Sequence, residues 1–75
     1  MITDVLHLGN MKQIGVMIKE RRLQLGINQQ TLADLADVGI NTLVAIERGT
    51  GNPSLQTLSR VLDTLGLQLK VTLKD

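Results

Sequence analysis

Few side chains in this sequence have the chemistry that catalysis requires. His7 is the single histidine, cysteine is absent, and the carboxylates are spread one at a time along the chain. A metal site needs several converging ligands, and acid–base or nucleophilic catalysis needs a reactive group beside a partner. The glycine spacings Gly9/Gly15 and Gly49/Gly51 do not form a phosphate-binding loop. We therefore expect no enzyme activity, no metal and no cofactor.

A short stretch in the middle of the chain has side chains suited to the recognition of nucleic acid. The amide of Asn41 can pair with N6 and N7 of adenine, Thr42 can hydrogen-bond to a base or a phosphate, and Arg48 can hold a phosphate. Apolar residues in the same stretch can contact thymine methyl groups: these are Ile40, Val44 and Ala45. This chemistry requires a helix that carries these positions on its outward side.

A second candidate contact precedes this stretch. Asn28 is a good N-cap, so Gln29 falls in the first turn of a helix. The N-terminus of a helix offers free N–H groups and the positive end of its dipole to a phosphate. Asn28 and Gln29 are therefore predicted to contact a nucleic-acid backbone. The alternative is a glutamine that only solvates the start of a helix.

Glycines and polar caps divide the chain into four predicted helices. The predicted spans are Met11 to Leu25, Asn28 to about Asp37, Ile40 to Arg48, and Ser54 to Leu65. Apolar residues recur at helical intervals within them: Ile14, Ile18 and Leu25; Leu32, Ala33 and Ala36; Leu43 and Ile46; Leu55, Leu58, Leu62 and Leu65. Leu43, Ile46 and the turn residue Val38 face inward on this pattern. The outward side of the third helix is then Ile40, Asn41, Val44, Ala45 and Arg48, with Thr42 near its edge.

The apolar period changes to two after Gly66. Leu67, Leu69, Val71 and Leu73 alternate with polar residues, which predicts a β-strand over residues 67–73. No second strand in the chain could pair with it, so we expect antiparallel pairing with the same segment of a second copy. Its apolar face is expected to cover the fourth helices of both copies. The alternative is a frayed tail.

The composition predicts a domain of low stability, whereas the net charge does not identify the kind of partner. The chain has 75 residues and no Phe, Trp or Tyr, and a domain of this size buries only about 60% of the surface of its unfolded chain. A partner subunit is therefore expected to complete the core. The net charge of +1, from eight basic and seven acidic residues, favours neither a nucleic-acid partner nor an ordinary mixed surface.

The sequence carries no sign of a membrane or secretory location. No apolar run approaches the roughly 18 residues of a membrane span, and the first residues do not form a signal peptide. The absence of cysteine means that no oxidising compartment is needed. We expect a cytoplasmic protein.

The order and spacing of these features resemble the Xre-like helix-turn-helix family, the type of Cro and the phage repressors. The similarity covers about residues 14–66; the matching positions are Ile14-Gly15, Ile18, Arg22, Gly26-Ile27-Asn28-Gln29, Leu32-Ala33, Val38, Leu43, Ile46, Glu47-Arg48-Gly49 and Asn52-Pro53-Ser54-Leu55. The resemblance implies a mainly α, lambda-repressor-like bundle of four to five short helices that binds double-stranded DNA. It also implies a structural ion pair between Arg22 and Glu47; the alternative is two independent surface charges.

The sequence departs from the family pattern at several positions. Ile40, Val44 and Ala45 are less polar than the usual reading residues, so specificity is expected to depend partly on DNA shape. The alternative function is a helical protein-interaction module that uses this apolar face and has lost DNA binding. Asp37 and Gly39 replace the usual glycine and small hydroxyl of the turn, and both are compatible with a turn.

Four short helices followed by an alternating strand are similar to the layout of HipB-type antitoxins. This resemblance implies a homodimeric repressor of a near-palindromic operator that also binds a HipA-type kinase toxin. The implied organisation is an N-terminal lead-in of unassigned structure over residues 1–10, a helix-turn-helix domain over residues 11–66, and a dimerisation strand and end over residues 67–75.

Overall fold

The computed structural model describes residues 10–70 and Leu73. Within this part of the chain, four helices pack together: α1 (Met11–Gln24), α2 (Gln29–Ala36), α3 (Ile40–Arg48) and α4 (Leu55–Thr64). α1 packs against α3, and α2 packs against both α3 and α4. The prediction of a mainly helical fold is confirmed.

Polar residues start the helices where the sequence predicts them. The Asn28 side chain accepts a hydrogen bond from the backbone N–H of Thr31 (2.8 Å), and Ser54 Oγ accepts one from the N–H of Thr57 (3.0 Å). Each bond satisfies a first-turn donor that has no carbonyl partner within its helix. Gly39 precedes α3 and supplies no side-chain bond, so the start of α3 depends on packing.

Two residues in the left-handed conformation end α2 and α3. Asp37 has φ 57° and ψ 48°, and Gly49 has φ 75° and ψ 21°. Asp is one of the few residues with a side chain that adopts this conformation at modest cost. Asp37 therefore maintains the tight turn between α2 and α3 without a glycine.

The core is made of aliphatic side chains from all four helices. The largest fully buried ones are Ile18, Leu32, Leu43, Ile46, Val61 and Leu65. Two predicted core positions are wrong, because Leu25 is 44% exposed and Leu55 is 67% exposed. α1 ends before Leu25 and buries Arg22 instead, and α4 buries Val61. A charged side chain thus takes the place that the apolar pattern assigns to a leucine.

α1 and α3 approach so closely that no side chain fits between them at Gly15. A β-carbon at this position would lie against the carbonyl oxygen of Ile46 and 2.8 Å from the carbonyl oxygen of Glu47. Backbone atoms cannot move aside as the end of a flexible side chain can. Gly15 therefore sets the distance between the two helices.

The segment after α4 has no regular secondary structure over residues 67–70. Leu67 and Leu69 are half-buried and pack against the core, whereas Leu73 is 97% exposed. Val71 lies outside the described residues. A strand needs a neighbouring strand, and residues 10–70 of a single chain contain none. The intermolecular strand over residues 67–73 therefore stays a prediction.

Most of the N-terminal lead-in, including His7, lies outside the described residues. Asn10 is described, and its side chain accepts a hydrogen bond from the N–H of Lys12 (2.9 Å) as the N-cap of α1. Within residues 10–70, no helix combines the length and the apolar character that a membrane crossing requires.

Candidate nucleic-acid interface

α2, the turn after it and α3 form the unit that carries most of the predicted contact residues. α3 turns its inner side to the bundle; the buried residues there are Leu43, Ile46 and Glu47. Asn41, Thr42 and Arg48 are exposed. An exposed helix with amide, hydroxyl and guanidinium groups can enter a major groove and hydrogen-bond to base edges and phosphates.

The apolar positions of α3 are less exposed than expected from the sequence. Ile40, Val44 and Ala45 are half-buried, and Ile40 packs against the core. Only part of each side chain is therefore available to a ligand. A thymine methyl group can reach such a surface, whereas docking into a protein groove needs a wider apolar face.

A concave surface lies between α3 and the loop that follows it. It encloses about 330 Å³, and its lining consists of Asn41, Thr42, Ala45, Ile46 and residues 50–53. The N–H and the hydroxyl of Thr50 both donate to the carbonyl oxygen of Ala45, at 2.9 and 3.2 Å, and hold the loop against α3. Thr50 and Asn52 thus join the candidate interface. Sequence reasoning missed them because a loop carries no periodic pattern.

Two exposed cations lie at the C-terminal end of α3. Lys12, near the start of α1, packs against Gly49, where a β-carbon would lie 2.5 Å from the Lys12 Cα. Arg48 directly precedes Gly49, and both cations are exposed. Lys12, which no motif indicates, is therefore a further candidate for a phosphate contact.

Arg22 and Glu47 form a buried ion pair between α1 and α3. Arg22 Nε donates to Glu47 Oε2 at 2.7 Å, and Arg22 Nη2 donates to Glu47 Oε1 at 3.0 Å. Arg22 Nη1 donates to the carbonyl oxygen of Ile27 at 2.9 Å. Hydrogen bonding to Glu47 raises the pKa of Arg22 against the opposing effect of burial. One guanidinium thus connects α1, the loop before α2, and α3.

Gln29, the first residue of α2, contacts this ion pair. Its side-chain N–H donates to Glu47 Oε1 at 3.1 Å, and the residue is half-buried. Asn28 is exposed, and its side-chain oxygen accepts from the N–H of Thr31. The first N–H groups of α2 have no carbonyl partner within the helix. Those of Gln29 and Gln30, which precede the bonded N–H of Thr31, are the donors that α2 can offer to an anion, together with the second N–H of the Gln29 amide.

No candidate metal site competes with this interface among the described residues. Within residues 10–70 and Leu73, no three His, Cys, Asp or Glu side chains come together in a way that could hold a metal ion. The exposed polar groups on α3, the following loop and the start of α2 are hydrogen-bond donors and acceptors and the cation Arg48, and α1 adds the cation Lys12. What this arrangement can do is bind an extended, polar, negatively charged ligand.

Comparisons with known proteins identify relatives named as transcriptional regulators. An uncharacterized HTH-type transcriptional regulator of Methanothermobacter thermautotrophicus is 38% identical over 50 residues, which cover 67% of this chain and 72% of the relative. An uncharacterized HTH-type transcriptional regulator of Haemophilus influenzae is 41% identical over 58 residues, which cover 73% of this chain and 59% of the relative. The cryptic phage CTXphi transcriptional repressor RstR of Vibrio cholerae is 31% identical over 58 residues, which cover 77% of this chain and 52% of the relative.

The chain therefore spans little more than half of the length of the last two relatives. Regulators of this kind are generally not enzymes. A family model described as helix-turn-helix matches residues 18–71, which is more than half of the chain and includes α2 and α3. The chain belongs to the Xre/Cro-like helix-turn-helix family.

Proposed function

We propose that the chain is a sequence-specific DNA-binding transcriptional regulator, a cytoplasmic repressor that binds a near-palindromic operator as a homodimer. The observation that carries this proposal is the set of exposed polar side chains on α3: Asn41, Thr42 and Arg48. The contact between Gln29 and Glu47 links the start of α2 to α3. A base-reading helix and a phosphate-binding helix end therefore have a defined relation to each other.

Asn41 is the side chain that we assign to base recognition, because its exposed amide can donate to and accept from the edge of an adenine. Thr42 serves a base or a phosphate. The half-buried Ile40, Val44 and Ala45 contact thymine methyl groups. With one amide and one hydroxyl among these reading positions, DNA shape and deformability supply part of the specificity.

The homodimer is proposed from the segment after α4. A small apolar groove is formed by α1, α4 and this segment; its lining residues are Ile14, Met17, Leu62, Leu67, Gln68 and Leu69. Leu73 is 97% exposed, so a single chain leaves it in water. Pairing of two segments about a two-fold axis would satisfy their backbone groups and cover Leu67, Leu69, Val71 and Leu73. Such a dimer would hold two copies of α3 about 34–36 Å apart, one turn of DNA.

A mobility-shift titration with an operator selected from random duplexes tests the DNA-binding part. We expect Asn41→Ala to lose about 1–3 kcal/mol of discrimination at one base pair, and Arg48→Ala to weaken binding to all duplexes alike. Arg60→Ala removes an exposed arginine from α4 and is the matched control that leaves affinity unchanged. Wild-type affinity in the Asn41→Ala/Arg48→Ala double variant would contradict the proposal.

Truncation after Gly66 tests the dimer. We expect the shortened chain to be a monomer that melts at a lower temperature and binds the operator far more weakly, because two linked half-sites bind more tightly than one. Sedimentation velocity and the same mobility-shift titration measure both effects. A truncated chain that sediments as a dimer with full operator affinity would exclude this mode of assembly.

The layout similar to HipB-type antitoxins adds a HipA-type kinase toxin to the proposed partners. Its support is the alternating apolar pattern that follows α4. We expect a neighbouring reading frame to encode a kinase-like protein. We also expect that protein to co-purify with this chain. A neighbouring kinase-like protein that does not co-purify would leave a plain repressor.

The competing function is a protein-interaction module that has lost DNA binding. It requires Ile40, Val44 and Ala45 to form a wide apolar face. Their half-burial leaves little of that face available, which favours DNA as the ligand of α3. Steep salt dependence of binding distinguishes the two functions, because phosphate contacts release counterions.

A further inference from the structure

The contact between Gln29 and Glu47 joins two groups to which the sequence assigns separate tasks. Gln29 is predicted to contact a phosphate, and Glu47 is predicted to pair with Arg22. A carboxylate only accepts hydrogen bonds, so the Gln29 amide has to turn its nitrogen towards Glu47 Oε1, at 3.1 Å. The ion pair therefore determines the orientation of the Gln29 amide.

Gln29 is also the member of this network that reaches the surface. Arg22 is 7% exposed and Glu47 is 8% exposed, whereas Gln29 is half-buried and begins α2. The three guanidinium nitrogens of Arg22 donate to Glu47 and to the carbonyl oxygen of Ile27. An amide nitrogen has two N–H donors, and the bond to Glu47 uses one of them. The second belongs to a residue at the helix end that faces the proposed DNA backbone.

We propose that the Gln29 amide is shared between Glu47 and a DNA phosphate, and that the buried Arg22–Glu47 pair is the positioning element for this contact. The inference rests on the proposed DNA binding. The fork of Arg22 fixes the carboxylate of Glu47, and the carboxylate fixes the amide of Gln29. Lysine at position 22 would keep the charge but not the fork, so the carboxylate and the amide would lose their fixed orientation.

A double-mutant cycle with Arg22→Lys and Gln29→Ala tests this coupling. The probe is a fluorescein-labelled duplex of mixed sequence and about 20 base pairs at about 50 mM salt, because phosphate contacts do not depend on sequence. We expect Gln29→Ala to weaken binding about fivefold for each bound subunit, the value of one hydrogen bond. Arg22→Lys should weaken binding about threefold for each bound subunit when Gln29 is present and have no effect in the Gln29→Ala background. Equal weakening in both backgrounds would overturn the coupling.

Gln30→Ala is the matched control. Gln30 is the next residue of the same helix turn, is exposed, and donates to Asp34 Oδ1 at 2.9 Å instead of to Glu47. We expect the affinity of this variant for the duplex to stay within about twofold of wild type, because the exposed bond that it loses is to Asp34 and not to DNA. If Gln30→Ala lost as much affinity for the duplex as Gln29→Ala, the whole first turn of α2 would be responsible for the loss. That result would overturn the specific role of Gln29.

The salt dependence separates this inference from the proposed function. Gln29 is neutral, so Gln29→Ala should leave the slope of log affinity against log salt unchanged, whereas Arg48→Ala should reduce its size by about 1 for each bound subunit. Full affinity in Gln29→Ala together with weakened Arg48→Ala would overturn the shared amide and leave DNA binding intact. Absence of duplex binding by the wild-type chain would overturn the proposed function itself.

A measurement on the wild-type chain keeps the test independent of how well Arg22→Lys folds. In a ¹H–¹⁵N spectrum, the side-chain NH₂ signals of Gln29 should shift when the duplex is added, and those of Gln30 should stay in place. Unchanged Gln29 signals at saturating duplex would overturn the shared contact.

Discussion

α1 has two unlike neighbours. Towards α3 its contact is polar and very close, with Gly15 against the backbone of α3 and Arg22 in a bidentate pair with Glu47. Towards α4 and the segment after it, the contact is apolar and leaves a groove beside Ile14 and Met17. Met17 is 41% exposed on this side.

The difference indicates which contact serves folding and which serves assembly. The contact between α1 and α3 is complete within one chain, because Arg22 is paired with Glu47 and the polar atoms there are satisfied. The side that faces α4 keeps exposed apolar surface, and Leu73 is still in water. We therefore expect substitutions between α1 and α3 to lower the stability of the single chain. Substitutions on the side of α1 that faces α4 should alter the association of two chains.

The largest loss of stability should come from Arg22→Ala. It leaves the Glu47 carboxylate buried without its partner, which costs about 3–5 kcal/mol. Urea denaturation of this variant beside Lys19→Ala, an exposed cation on the same helix, measures the difference in the free energy of unfolding. Equal losses in the two variants would mean that the ion pair is an ordinary surface contact.

Gly15→Ala should cause the next largest loss of stability, about 2–3 kcal/mol in the free energy of unfolding. The new methyl group forces α1 away from the carbonyl oxygens of α3. Gly39→Ala is the matched control. The nearest atom to a β-carbon there is the Thr42 Oγ1 at 3.8 Å, and Gly39 has φ −69°. Melting curves of both variants at one protein concentration are the measurement, and a Gly15→Ala variant that melts like wild type would disprove the close approach.

Arg21→Ala should lower the free energy of unfolding by about 1 kcal/mol, less than the neighbouring Arg22→Ala. Arg21 Nε donates to the carbonyl oxygen of Leu65 at 2.9 Å, which places its cation at the C-terminal end of α4. The residue is half-buried, so solvent screens part of this interaction. Thermal denaturation of both variants compares the two helix contacts directly, and equal melting temperatures would contradict the distinction between them.

Met17→Glu should change the free energy of unfolding of the single chain least, by no more than about 0.5 kcal/mol, because Met17 lies partly in solvent. It should nevertheless weaken dimerisation, since a carboxylate would enter the apolar groove beside Leu67 and Leu69, and the second copy is proposed to cover these two leucines. Val16→Glu adds the same charge at the next position, which is 51% exposed and does not line the groove. Sedimentation velocity over a range of concentrations should show weaker association for Met17→Glu alone.

Local sequence signals were sufficient to predict the helices. The bounds of α3 agree with the predicted span from Ile40 to Arg48, and α1 ends one residue before the predicted Leu25. Caps and glycines act on the backbone within a few residues, so their effect can be inferred from the neighbouring sequence. The error at Leu55 arises because a helical period marks one side of α4 but does not tell whether another part of the chain covers its first residue.

Contacts between distant residues could not be predicted from periodicity. The bond from Gln29 to Glu47 spans 18 residues, and the bond from Arg21 to Leu65 spans 44. Both depend on how the helices dock, as does the need for glycine at position 15. The expectation that Arg22 pairs with Glu47 came from the family resemblance, which already contains the docking geometry.

The exposed side of α3 is proposed to bind DNA, and the salt dependence of duplex binding tests this role most directly. Lys12 and Arg48 from two subunits would neutralise four phosphates, so log affinity should fall linearly with log salt with a slope of about −3.6. Arg48→Ala should bring this slope to about −1.8, because it removes one phosphate contact from each subunit. A slope near zero, or one that Arg48→Ala leaves unchanged, would contradict the claim and favour a protein partner for this surface.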